Sequence, residues 1–183
     1  MAQNILLLYQ SYYGHTKQYA QWLCEALDAD LYSVRQMDAA QLPRYDVVIF
    51  GGGLYAGGIA GVSFLTRHFE QLAGKRLAVF TCGLADPSKE ENLEAIQRTV
   101  DHHFSEAQQK AIRFFHLRGG IDYKRLNPVH RAMMAMLKKF LQKKDPSSLR
   151  EEDRQLLATY GGKVDFLERA AIHPILEFVR EGR

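Results

Sequence analysis

The sequence predicts a doubly wound α/β fold: a five-stranded parallel sheet of order 2-1-3-4-5, with a helical insert after the fifth strand. Three observations carry that expectation. Short apolar runs end in turn residues, as Ile5-Leu6-Leu7-Leu8 does before QSYYGHT. Segments of helical periodicity alternate with these runs, which marks βαβ units and a parallel sheet. The alternation then stops after AIRFFHL (111–117), and a basic segment follows. In such a sheet the crossovers are right-handed and ligands sit beyond the carboxyl ends of the strands.

Taken in order, Asn4 to Gln10 reads as a buried strand, and Thr16 to Leu27 as a helix with Tyr19, Ala20, Leu23 and Leu27 on one face. Leu31 to Val34 is a short strand, and Pro43 breaks the chain before the buried strand VVIFGGG. Val62 to Leu72 has helical spacing in Phe64, Leu65, Phe69 and Leu72. Arg76 to Thr81 is a third core strand, and Glu90 to Phe104 a helix with Leu93, Ile96, Val100 and Phe104 inward. Ala111 to Leu117 is the fifth strand. Beyond it, Asn127 can cap a helix with Pro128 at its first position. That helix gathers Val129, Met133, Met136, Leu137 and Phe140 on one side, with Lys138, Lys139, Lys143 and Lys144 elsewhere. A polar helix over Ser148 to Thr159, a break at Tyr160-Gly161-Gly162 and a closing helix, His173 to Arg180, complete the chain.

At 183 residues, 46% hydrophobic and 25% charged, the chain is expected to be one soluble domain over 1–183, with the basic helical insert at about 118–160. No apolar run approaches the ~18–20 residues of a membrane-spanning helix. The first ten residues carry no signal-peptide features, so a cytoplasmic location is expected. Cys24 and Cys82 lack disulfide-framework or zinc spacing, and no metal is expected. Between Arg118 and Lys144 stand eight Lys/Arg and one acid, Asp122, a local charge of +7; the remaining chain has 16 basic and 20 acidic groups. The concentrated segment suits an anionic surface or is a solvated helix face. A nucleic-acid partner is not expected, and oligomeric state is not readable.

Three loops are expected at the carboxyl edge of the sheet. In the first, Ser11 and Thr16 flank Gly14 before a helix, whose unpaired N–H groups suit a phosphate. No P-loop lysine is present, which favours a monophosphate over a nucleoside triphosphate; a plain cap and turn is the alternative. The second, GGGLYAGGIAG (51–61), has six glycines in eleven residues. These would let the backbone approach a ligand that Tyr55 covers. The third, TCGLADP (81–87), could bond the edge of a heterocycle through its backbone. Cys82 reads as a small loop residue rather than a nucleophile.

With these residues in view, the chain resembles the flavodoxin family. That family's phosphate loop has the pattern Thr/Ser-x-Thr/Ser-Gly-x-Thr, matched by Ser11, Gly14 and Thr16 and departed from at Tyr13. The Tyr13-Gly14-His15 wording is nearer to flavodoxin-like quinone reductases. The resemblance covers about residues 3–117 and the closing helix. It implies FMN as cofactor, with Ser11, Tyr12, Tyr13, Gly14, His15 and Thr16 around its phosphate. Leu54, Tyr55, Ala56 and Gly57, with Thr81, Cys82 and Gly83, would frame the isoalloxazine. The flavin does the chemistry, so no catalytic side chain is implied.

The basic insert makes the chain most similar to flavodoxin-like, menaquinone-dependent protoporphyrinogen oxidases, a heme biosynthesis activity. The resemblance implies electrons passing from a porphyrinogen through the flavin to a quinone, with Arg118, Lys124 and Arg125 pairing with propionates. The alternatives are a flavodoxin-type electron carrier that docks on a redox protein and an NAD(P)H-dependent flavin or quinone reductase. A basic amphipathic helix over 128–144 can also rest on an anionic bilayer, where each Lys/Arg contributes about 1 kcal/mol. That contact would place the chain peripherally on the inner face of the cell membrane. Packing on its own domain and contact with a second copy are the other readings.

Overall fold

The computed structural model describes residues 3–181. These form two compact units: 3–119 with 167–181, and Gly120–Phe166. The segment read as a helical insert lies largely in the second.

The first unit is built on parallel strands β1 (Ile5–Gln10), β2 (Asp30–Ser33), β3 (Val47–Tyr55), β5 (Arg76–Gly83) and β6 (Ile112–Arg118). Their order is β2-β1-β3-β5-β6, the 2-1-3-4-5 arrangement expected; β4 (Gly58–Ile59) adds an antiparallel pair to β3. Alternate strand residues feed two cores, because side chains point to opposite faces with period two. Ile5, Leu7, Val47, Ile49, Ala78 and Phe80 face α1 (His15–Leu27) and α7 (His173–Arg180). Leu6, Leu8, Val48, Phe50 and Val79 face α2 (Val62–Arg67) and α3 (Glu90–His103). Helix α1 starts at Gly14, whose φ is +103°, and buries the predicted Tyr19, Ala20, Leu23 and Leu27.

Several expectations are corrected. The glycines 51–53 lie inside β3, and Thr81, Cys82 and Gly83 inside β5, so both expected loops begin later. The glycines of β3 answer to packing. A Cβ on Gly51 would enter the Phe80 ring, and one on Gly52 would strike Ile59 Cγ2. Helix α2 stops at Arg67 and a 3-10 turn covers Phe69–Leu72. Leu93 is 43% exposed rather than inward. Helix α4 (Glu106–Ala111), closed by a Ser105–Gln108 capping box, was not anticipated.

In the second unit, β7 (Gly120–Asp122) pairs antiparallel with β8 (Lys163–Asp165). Asn127 caps α5 (Pro128–Gln142) as expected, its Oδ1 accepting from the His130 N–H at 2.8 Å. Leu126 and Leu141 are buried. Helix α6 (Glu151–Thr159) carries the buried Asp153, which Arg150 meets at 3.3 Å. Lys138 Nζ lies 4.4 Å from the centre of the Tyr160 ring, which packs on Tyr123.

Candidate functional site

The carboxyl ends of β1, β3 and β5 bring most of the predicted residues together. The loop 11–14 turns on itself, with the Gly14 N–H donating to Ser11 Oγ at 3.0 Å. Gly14 is the N-cap of α1 and supplies no capping side chain, and the first turn holds no acid. Thr16 is buried in that turn. A helix start without a side-chain cap or a carboxylate is suited to an anion, so the donor set fits a phosphate.

Tyr12 and Tyr13, which follow Ser11, turn to Tyr55 at the end of β3. Ring centres lie 4.9 Å apart for Tyr12–Tyr55 and 5.9 Å for Tyr13–Tyr55. Tyr13, the departure from the expected hydroxyl residue, thus joins an aromatic group. Tyr55 lies against Gly53, where a Cβ would meet its ring. Burial raises its phenol to about 12, and the nearby Cys82 adds to the rise while a backbone hydrogen bond with Tyr12 opposes it. The phenol is therefore neutral at ordinary pH.

Beyond Tyr55, Ala56 (φ 50°) and Gly57 (φ 76°) make a two-residue hairpin turn into β4. Positive φ at both positions matches the type I′ turn that follows the strand twist. Leu54 covers Gly83, whose added Cβ would sit 2.9 Å from Leu54 Cδ1. The phosphate-type loop, the hairpin and the end of β5 therefore form one surface.

Not every predicted side chain reaches it. Thr81 is fully buried, its Oγ1 bonds His116 Nδ1 at 2.8 Å, and it lies within β5 between its register partners Gly52 and His116. Cys82 is 5% exposed, packed beside Gly119. Arg118 does not stand out as a free cation: its Nε donates to the Leu84 carbonyl at 3.2 Å, and its guanidinium pairs with Asp86 at 3.7 Å. Lys124 and Arg125 lie on an exposed turn of the second unit. Sequence reasoning missed His116, whose burial lowers its pKa. The available signal was a histidine closing the apolar run of β6.

A doubly wound sheet with a phosphate-type loop at its first strand defines a class of nucleotide-binding α/β proteins. The flavodoxin-domain family model matches residues 6–148. The chain belongs to that family and, with it, to the FMN-binding proteins of this fold. Among solved structures it is similar to a flavodoxin, WrbA-like protein from Agrobacterium tumefaciens: 20% identity, 62% of this chain and 83% of that one, TM-score 0.42. Oxidised Flavodoxin 2 from Bacillus cereus matches at 22% identity over 63% and 84%, TM-score 0.41. A flavoprotein in complex with FMN from Lactobacillus acidophilus matches at 17% over 64% and 93%, TM-score 0.42. No curated protein matches the chain.

Proposed function

We propose that the chain is an FMN-dependent electron-transfer flavoprotein that docks on a redox partner. One observation carries the reading: an N-terminal helix start with no side-chain cap and no acid, set beside the Tyr12–Tyr13–Tyr55 group at the same sheet edge. Ser11 to Thr16 would hold the phosphate through backbone N–H groups and the Ser11 hydroxyl. Tyr55 would orient the ring by its face, and its neutral phenol places no charge there. Leu54 over Gly83, with the backbone of Thr81 to Gly83, would exclude water from the other side. FMN, when bound, supplies one- and two-electron transfer.

A second reading is an oxidoreductase of the protoporphyrinogen type that passes electrons to a quinone. The exposed apolar face of α5 beside Lys139 and Lys143 favours it. Such a helix would hold the chain peripherally on the inner face of the cell membrane, near lipid-soluble substrates. Among the described residues, no helix is long and apolar enough to cross a membrane. Pairing of Lys124 and Arg125 with substrate carboxylates belongs to this reading.

The test is FMN fluorescence titration, followed by anaerobic reduction. The wild type should quench FMN, and the Ser11→Ala/Thr16→Val double variant should lose at least about tenfold in affinity, the loss of one charge-assisted hydrogen bond. A chain that leaves FMN fluorescence unchanged overturns both readings. Bleaching by protoporphyrinogen with colour restored by menaquinone selects the second reading; bleaching only by NAD(P)H selects a flavin or quinone reductase; neither reaction leaves the carrier.

A further inference from the structure

The end of β5 and the loop that follows it, residues 84–89, are tied to Arg118 at the end of β6 and to Gly119 beyond it. Arg118 Nε donates to the Leu84 carbonyl at 3.2 Å, and the Gly119 N–H donates to the Gly83 carbonyl at 2.6 Å. The Arg118 guanidinium also pairs with Asp86 at 3.7 Å, where both side chains are mostly shielded, at 24% and 30% exposure. Asp86 is in turn the organiser of the loop. Its Oδ1 accepts from the Ser88 N–H and hydroxyl, and its carbonyl accepts from the buried Asn92 amide. These Ser88 bonds, with Arg118 nearby, hold its carboxyl below the usual carboxylate range.

The backbone of Arg118 is itself fixed. The hydroxyl of the fully buried Tyr19 donates to the Arg118 carbonyl at 2.7 Å and accepts from the Glu168 N–H at 3.3 Å. A single α1 side chain therefore holds both the end of β6 and the returning chain. Gly119 must be a glycine for the same geometry: a Cβ there would sit 2.8 Å from Cys82 Sγ and 3.3 Å from His15 Cβ.

We propose that Arg118 is a positioning residue for the 84–89 loop, holding it in register with the end of β5 so that it closes over the flavin ring. This rests on the FMN reading above. It replaces the role of Arg118 as a direct anchor for an anionic substrate. A guanidinium suits the task because its fork can reach a carbonyl and a carboxylate at once, which an ammonium cannot do in one fixed geometry.

The experiment compares the wild type with Arg118→Gln, Arg118→Lys and Asp86→Asn, using the full chain. Hydrogen exchange is read without FMN, and FMN affinity by fluorescence. Arg118→Gln should speed exchange over residues 84–89 about tenfold and weaken FMN by a similar factor, through faster dissociation. Exchange in the core of β1 and β3 should not change. Arg118→Lys should recover only part of the loss, because it restores the pair with Asp86 and not the bond to Leu84. Asp86→Asn should loosen the same amides, and gives the same reading if Arg118 variants do not fold. Unchanged exchange over 84–89 in every folded variant overturns the proposal. So does a variant whose only change is a raised KM for an anionic substrate. A wild type that fails to quench FMN overturns the functional reading, while the exchange comparison still decides whether Arg118 holds the loop.

Discussion

Helix α1 buries Tyr19, Ala20, Leu23 and Leu27 to 5% exposure or less, whereas α5 leaves Val129 at 66%, Met136 at 71% and Phe140 at 59%. Both helices carry an apolar stripe at helical spacing. For α1 the stripe is covered by β1, β3 and the Ile172–Val179 segment. For α5 only Leu141 is buried, and five of the exposed large apolar side chains among the described residues lie on this one helix. Periodicity therefore reports that a helix has an apolar face and not what lies against it. The basic side chains beside the α5 face are not all idle: Lys138 lies over Tyr160 and Lys144 over Phe140.

The comparison breaks most directly at the level of stability. Leu23→Ala removes a fully buried side chain and should cost about 3 kcal/mol. Met136→Gln, which keeps helix propensity while removing the apolar group, should change stability by less than about 0.5 kcal/mol. Thermal melts followed by circular dichroism measure both. A cost for Met136→Gln near that of Leu23→Ala would mean that the α5 face is covered in solution, and the contrast would be lost.

How much of this was legible in the sequence follows the same line. The strand order and the buried face of α1 were legible because local periodicity there coincides with burial, whereas Leu93 of α3 shares the period and stays exposed. The loop after β3 was started at Gly51, inside the strand, because glycine reads as a breaker. The Phe80 ring, which meets Gly51 from the neighbouring strand, and Ile59, which meets Gly52 across the hairpin, explain why glycine belongs inside the strand. Strands β7 and β8 were missed because three residues carry no period, and their partners are some forty positions apart. At the site, Ser11 to Thr16 was legible because the loop is closed by its own residues. The Thr81–His116 bond was not, since it joins two strands in register. Arg118 was read by its charge alone, and its partners lie over thirty residues away.

The second test sharpens what burial means inside the first unit. Burial lowers the pKa of His116, and burial together with His102 lowers that of His103. With the folded pKa below the unfolded value of about 6.5, the unfolded chain binds more protons in the interval between them, so stability rises with pH there. The protein should be less stable at pH 5 than at pH 8. The carboxylates with lowered pKa, Asp86 among them, lose their contribution only at lower pH and do not reverse this sign. His116→Leu should flatten the dependence in urea melts across that range. An unchanged slope in His116→Leu would place that imidazole in contact with water.

The smallest effect is expected at the tip of the β3–β4 hairpin, where the first unit itself leaves residues exposed. Ala56 holds φ at 50°, a left-handed conformation that costs a non-glycine residue about 1 kcal/mol and that asparagine tolerates better. The type I′ turn favours Asn-Gly over Ala-Gly for this reason. Ala56→Asn should therefore stabilise the fold by about 0.5 kcal/mol, without the extra chain entropy that glycine would bring. Residue 56 is exposed at the tip of the hairpin that would frame the flavin, so FMN affinity is measured beside stability. Loss of stability in Ala56→Asn would show that the turn is not held in this form in solution. A gain in stability with a clear loss of FMN affinity would show instead that the strain at Ala56 is used to aim the hairpin, and that the exposed tip belongs to the binding surface as much as the buried strand beneath it.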